Sequence, residues 1–145
     1  MQGKITLEQV TEARLAIEPP SLELLVERIT KQQLEELRQN IEATEKLLKE
    51  ASFPNYTQTS FHVLLARAVG NPLLETFLTM LMSIVVDFFG KGEPDMGYSL
   101  KNVDEHRNIY EAVARQDSES AKEALKKHIL DAHEFIANTN ALERS

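Results

Sequence analysis

The stretch FHVLLARAVGNPLLE, residues 61–75, puts a histidine on an apolar face and then stops one helix and starts another within three residues. Phe61, Leu64, Leu65 and Ala68 recur at three-four spacing, which predicts a helix ending near Gly70. Gly70 suits a left-handed C-terminal cap, Asn71 an N-cap and Pro72 the first helical position, so two helices meet almost without a loop. The same helical spacing recurs along nearly the whole chain. No alternating strand pattern or Asn-Gly hairpin interrupts it, and the predicted fold is all-α, an antiparallel bundle of six to seven helices.

Working outward, a first helix is predicted from about Thr6 to Ile17, stopped by EPPS, because consecutive prolines remove backbone donors and restrict the residue before them. Ser21 then caps a short helix over Leu22–Ile29. Thr30 and Gln33 form a capping box for a long helix reaching about Ala51, with Leu34, Leu37, Ile41 and Leu48 on its apolar face. SFPNY breaks the chain before the helix of His62. The helix from Pro72 to about Phe89 is apolar on several sides and is read as buried, either central or partly in a subunit interface. GKGEPDMGYS is a loop; further helices are expected over Ser99–Arg115 and from an Asp117 or Ser118 cap to about Asn138.

The 145 residues suffice for one domain with a real core. A formal net charge of −7 argues against nucleic acid binding by this chain alone, since phosphates need a concentrated basic surface. The absence of cysteine excludes disulfides and thiolate metal sites and fits a reducing, cytoplasmic setting. The N-terminus lacks the apolar core of a signal peptide. The apolar run Leu73–Phe89 is shorter than the roughly 20 residues of a membrane span and contains Glu75 and Asp87, so no membrane is expected.

Chemistry concentrates in the histidines. His62, His106 and His128 fall on three different predicted helices, and metal sites in helical bundles are built from side chains pointing inward from facing helices. Gln58 lies four residues before His62, on the same face. His133 is about 140° around the helix from His128, so it is left as a surface or supporting residue. Glu105 adjoins His106 but should point about 100° away from it. No Glu-x-x-His, Gly-x-Ser-x-Gly or glycine-rich phosphate loop is present. Each histidine could also be a satisfied core residue.

Taken in order, VTEARLAIEPPSLELLVERIT (10–30), FHVLLARAVGNPLLE (61–75) and DEHRNIYEAVARQDSESAKEALKKHI (104–129) resemble the FCD effector-binding domain of the FadR branch of GntR transcription regulators. The likeness covers about residues 7–138. It implies an all-α, usually dimeric bundle that follows a winged helix-turn-helix DNA-binding domain. In metal-binding members an aspartate and three histidines hold a divalent cation beneath a pocket for a small organic acid. Carried over, the histidines are His62, His106 and His128, and the aspartate position is Gln58, whose neutral amide is a weaker ligand than carboxylate.

A zinc- or nickel-like ion on three imidazoles with open positions, completed by a carboxylate effector, is the resulting expectation. Arg14 matches an arginine that often faces the pocket, although an exposed pair with Glu18 explains it equally. Arg67, Asn71 and Arg107 are further effector-binding candidates, with Asn71 also explained as a cap. The whole chain is then read as a sensor domain, its expected partners being a second copy, a small carboxylate and, through a winged helix absent before Thr6, DNA. Two rivals are a small metal-dependent hydrolase or lyase and a metal-free structural dimerisation module.

Overall fold

The computed structural model describes residues 4–50, 55–90 and 95–144, with side chains described for 4–50, 60–90 and 95–140. Six helices follow one another: α1 (Leu7–Arg28), α2 (Lys31–Lys49), α3 (Asn55–Ala68), α4 (Pro72–Phe89), α5 (Met96–Ala114) and α6 (Ser118–Arg144). No strand occurs among the described residues. Packing closes the helices into a ring in the order α1, α6, α5, α2, α3, α4 and back to α1. Phe61, Leu25, Leu37, Ile109, Leu125 and Ile129 fill its interior, each at most 2% exposed.

The expected break at EPPS is absent, and α1 runs straight through Pro19 and Pro20. The prolines remove the donors that would serve the carbonyls of Leu15 and Ala16, a cost of about 3 kcal/mol each. Burial offsets it. Val10 lies on one side of the prolines and Leu22 and Leu25 on the other, all in the interior, and full burial of such side chains contributes about 1.5–3 kcal/mol apiece. Local bonds add to this: Ser21 Oγ donates to the Glu18 carbonyl at 2.6 Å, and Thr6 with Gln9 forms a capping box at the start.

The other boundaries follow local chemistry. Thr30 and Gln33 exchange the two bonds of the predicted capping box at 3.0 and 3.1 Å. Asp95 Oδ1 accepts from Tyr98 N at 2.8 Å, which starts α5 within the stretch expected to be loop. Asp117 accepts from Ser120 N at 3.0 Å at the start of α6, and that helix continues past Asn138 to Arg144. Ala51 lies outside the described residues.

Helix α4 corrects another expectation. Only Leu81, Met82 and Val85 are buried in it, while Leu73 (63%), Phe77 (44%) and Met80 (56%) are exposed. By length and composition alone it could cross a membrane. Hydropathy could not distinguish a core helix from one at the edge of the ring, where a single stripe meets α1 and α3.

The joint between α3 and α4 forms as read. Gly70 has φ +74°, and Asn71 Oδ1 accepts from Leu73 N and Leu74 N at 3.0 and 3.3 Å. Arg28 at the end of α1 donates to the carbonyls of Val69 and Gly70 at 3.2 and 3.3 Å. A Cβ at Gly70 would lie 2.9 Å from Arg28 Cδ. Gly70→Ala therefore combines a left-handed backbone with a crowded neighbour and is expected to cost about 1–2 kcal/mol in urea unfolding. An unchanged unfolding midpoint would show that the joint carries no strain.

Candidate metal centre

Three helices deliver the histidines to one place. His62 comes from the middle of α3, His106 from α5 and His128 from α6. His62 Nε2 lies 3.1 Å from His128 Nε2 and 3.2 Å from His106 Nε2, and all three ligand atoms fall within 4.8 Å of one another. His106 and His128 are 2% and 3% exposed, and the His62 side chain 9%. Phe61, the neighbour of His62 in sequence, stacks flat on His106 with ring centroids 4.1 Å apart.

Proton counting shows what the triangle lacks. His128 Nδ1 is 3.1 Å from the Glu105 carboxylate, so with its proton there its Nε2 carries only a lone pair. His62 Nε2 is then either donor or acceptor. As a donor its one N–H is shared between the lone pairs of His128 and His106; as an acceptor from His106 it faces His128 lone pair to lone pair. A cation could instead accept a lone pair from each of the three. Metal–imidazole bonds of about 2.0–2.1 Å separate adjacent nitrogens by roughly 2.9–3.4 Å for angles from 90° to tetrahedral. The two sides that meet at His62 fall in that range, the third is within 4.8 Å, and three neutral imidazoles suit a borderline divalent ion.

The surroundings keep the imidazoles neutral. Burial, then the neighbouring His106, His128 and Arg14, hold His62 well below the ordinary histidine value. Burial, His128 and Arg14 do the same to His106. His128 is brought down to about 3, chiefly by burial and then by Arg14, with Asp131 opposing. Arg14 is itself buried, with Nε 2.6 Å from Glu18 Oε2, and Glu18 Oε1 stands 4.0 Å from His62 Nδ1. Burial and a hydrogen bond shared with Asp131 push Glu105 up to about 7, while Lys127 opposes. A cleft of ≈ 20 Å³ opens beside His62 and Glu18, room for about one water. Asn102, one turn before His106 on α5, has a buried Oδ1 without a hydrogen-bond partner among the described residues.

Residues 9–131 match the family model of the FCD domain. The chain belongs to the FCD domain family. FCD domains are regulatory domains of GntR-type transcription regulators and not enzymes. Two solved structures share the fold: Streptococcus agalactiae GntR, with TM-score 0.75 and 23% identity over 88% of this chain, and E. coli McbR/YncC, with TM-score 0.82 and 15% identity over 95%. This FCD domain spans 58% and 67% of those two chains. No curated protein matches it by sequence.

Of the residues singled out in the sequence of this FCD domain, the three histidines converge and Arg14 lies close enough to bias all of them. The pairing of Arg14 with Glu18 forms, but buried rather than exposed. Gln58 is in α3, and its side chain lies outside the described residues. The remaining effector candidates are engaged elsewhere: Arg67 with Glu75 at 3.6 Å, Arg107 with Glu45 and Asp104, and Asn71 as the cap of α4. His133 stands apart from the cluster, 2.6 Å from Thr11 Oγ1. Glu105 was set aside because it points away from His106, and it does; its partner is His128 on another helix, which no spacing along α5 could signal.

Three buried neutral histidines make acid stability a test. Their folded values lie below the unfolded value of about 6.5, so their contribution is complete above that pH and is lost as pH falls below it. Glu105, raised to about 7, acts in the opposite sense between about 4.5 and 7. The net uptake on unfolding is about two protons, or up to about 2.7 kcal/mol per pH unit. Urea unfolding of chelator-treated protein at pH 7.5, 6.5 and 5.5 should show flat and then falling stability. A profile independent of pH would mean that the histidines are not buried in the neutral form.

Proposed function

We propose that this chain is the effector-sensing domain of a GntR/FadR-type regulator, holding a divalent ion on His62, His106 and His128 and binding a small organic acid beside it. The convergence of three Nε2 atoms with two separations of 3.1 and 3.2 Å carries this reading. A bound zinc- or nickel-like ion supplies open coordination positions for a carboxylate. Arg14 supplies a buried guanidinium on the same side as Glu18, suited to a bidentate hold on that anion once its bond to Glu18 is exchanged. The unpartnered Asn102 Oδ1 offers an acceptor for a donor group of the acid. The ≈ 20 Å³ cleft is too small for an organic acid, so binding requires α1 and α4 to part from α3, and that movement is the signal.

In the full regulator the signal passes to a winged helix domain on the DNA, by the difference in effector affinity between two arrangements of the helices. Isothermal titration of chelator-treated protein with Ni²⁺ or Zn²⁺ tests the metal reading. One ion per chain is expected, with stabilisation of about 2.7 kcal/mol at a free metal concentration 100 times Kd. His106→Ala should abolish both effects. Absence of binding to the unsubstituted protein overturns the proposal.

The exposed stripe on α4 supports a homodimer within this reading. Leu73, Phe77 and Met80 follow one another at four- and three-residue steps, so they form one continuous apolar face. Sedimentation velocity should show a dimer that Phe77→Glu converts to monomer with little change in monomer stability, because the side chain is 44% exposed. An unsubstituted protein that sediments as a monomer removes this part of the proposal.

A further inference from the structure

We infer that Glu105 is a positioning residue of the metal centre: by accepting the Nδ1 proton of His128 it presets the tautomer whose Nε2 lone pair faces His62 and His106. The inference rests on the metal reading above and assigns the acidic neighbour of His106 to the histidine of a different helix.

The three imidazoles differ in what lies behind them. Glu105 Oε1 is 3.1 Å from His128 Nδ1, with both residues at most 5% exposed. The Glu105 carboxylate is held on its far side as well, since Oε2 is 3.4 Å from Lys127 Nζ, and Lys127 is in turn 2.6 Å from Asp131. The carboxylate is therefore anchored from α6 through Lys127 while it reaches His128 on the same helix. Among the described residues His62 has no such anchor: Glu18 Oε1 stands at 4.0 Å, and Glu18 is tied to Arg14. His106 is fixed by a different device, the flat ring of Phe61.

An imidazole ligand must offer a lone pair at the metal-facing nitrogen, which requires its proton to sit on the other one. A buried carboxylate accepting that proton favours the binding tautomer and raises the basicity of the ligand. The contact with Glu105 sets the tautomer of His128, whereas no carboxylate stands within hydrogen-bond distance of His62 among the described residues.

The test uses the whole chain, chelator-treated and then titrated with Zn²⁺ or Ni²⁺ in competition with a chromogenic chelator. Glu105→Gln should weaken metal binding by about 10–100-fold, the range found when such supporting partners are changed. The visible spectrum of the Co²⁺-loaded protein should change with it, a readout that a purely structural role would not move. Nitrogen-15 NMR of the unsubstituted, metal-free protein gives a second measurement that needs no variant, and should find the His128 proton on Nδ1. A Glu105→Gln protein that binds metal as tightly as the unsubstituted one, or a His128 proton on Nε2, overturns the inference while the metal reading stands. An unsubstituted protein that binds no metal overturns both.

Discussion

Three imidazole nitrogens crowded together in the interior are the constraint around which this bundle is arranged. Each ring is polar at both nitrogens, and burying such a group without partners costs a few kcal/mol. The ring of helices surrounds the cluster with partners of different kinds: a carboxylate for His128, an aromatic face for His106, and a shared carboxylate at longer range for His62. Inside the triangle one N–H of His62 has to be shared between two acceptors. The two Nε2 contacts of His62 are short enough for such a shared hydrogen bond and also suit a cation held in common.

The continuity of α1 serves the same centre. Arg14 and Glu18 sit one turn apart on it, immediately before the prolines, and both are buried. A helix broken at Pro19 would let this segment pivot. Because Leu22 and Leu25 hold the second half in the core, Arg14 and Glu18 are presented from a rigid element. The local rule against interior proline is correct in sign here. It loses because several apolar side chains on both sides of the break would have to leave the interior together.

The readability of the sequence divides along similar lines. Gly70, Asn71 and Pro72 act through neighbours within four residues, and the joint they form is as read. So is the capping box of Thr30 and Gln33. The convergence of His62, His106 and His128 was legible only as three helices each bearing one histidine, sharpened by family likeness; no spacing within a helix encodes the distance between helices. Glu105 was illegible for that reason, its partner being 23 residues away on α6. The edge position of α4 was hidden because apolar residues look alike whether they face the core or a surface awaiting a partner.

The pairing of Arg14 with Glu18 also bears on how an anion could act at a distance. The fork of Arg14 is occupied by a carboxylate of its own helix, at 2.6 and 3.3 Å. Under the proposed function an incoming carboxylate would compete for the same donors, and Glu18 Oε1 has His62 Nδ1 at 4.0 Å as an alternative partner. Such an exchange would link an anion to a metal ligand, and by thermodynamic reciprocity a metal that favours His62 with its proton on Nδ1 would in turn loosen Arg14 for the anion. The continuity of α1 and its packing along α6, which carries His128, place Arg14, Glu18 and that histidine on two adjoining unbroken helices.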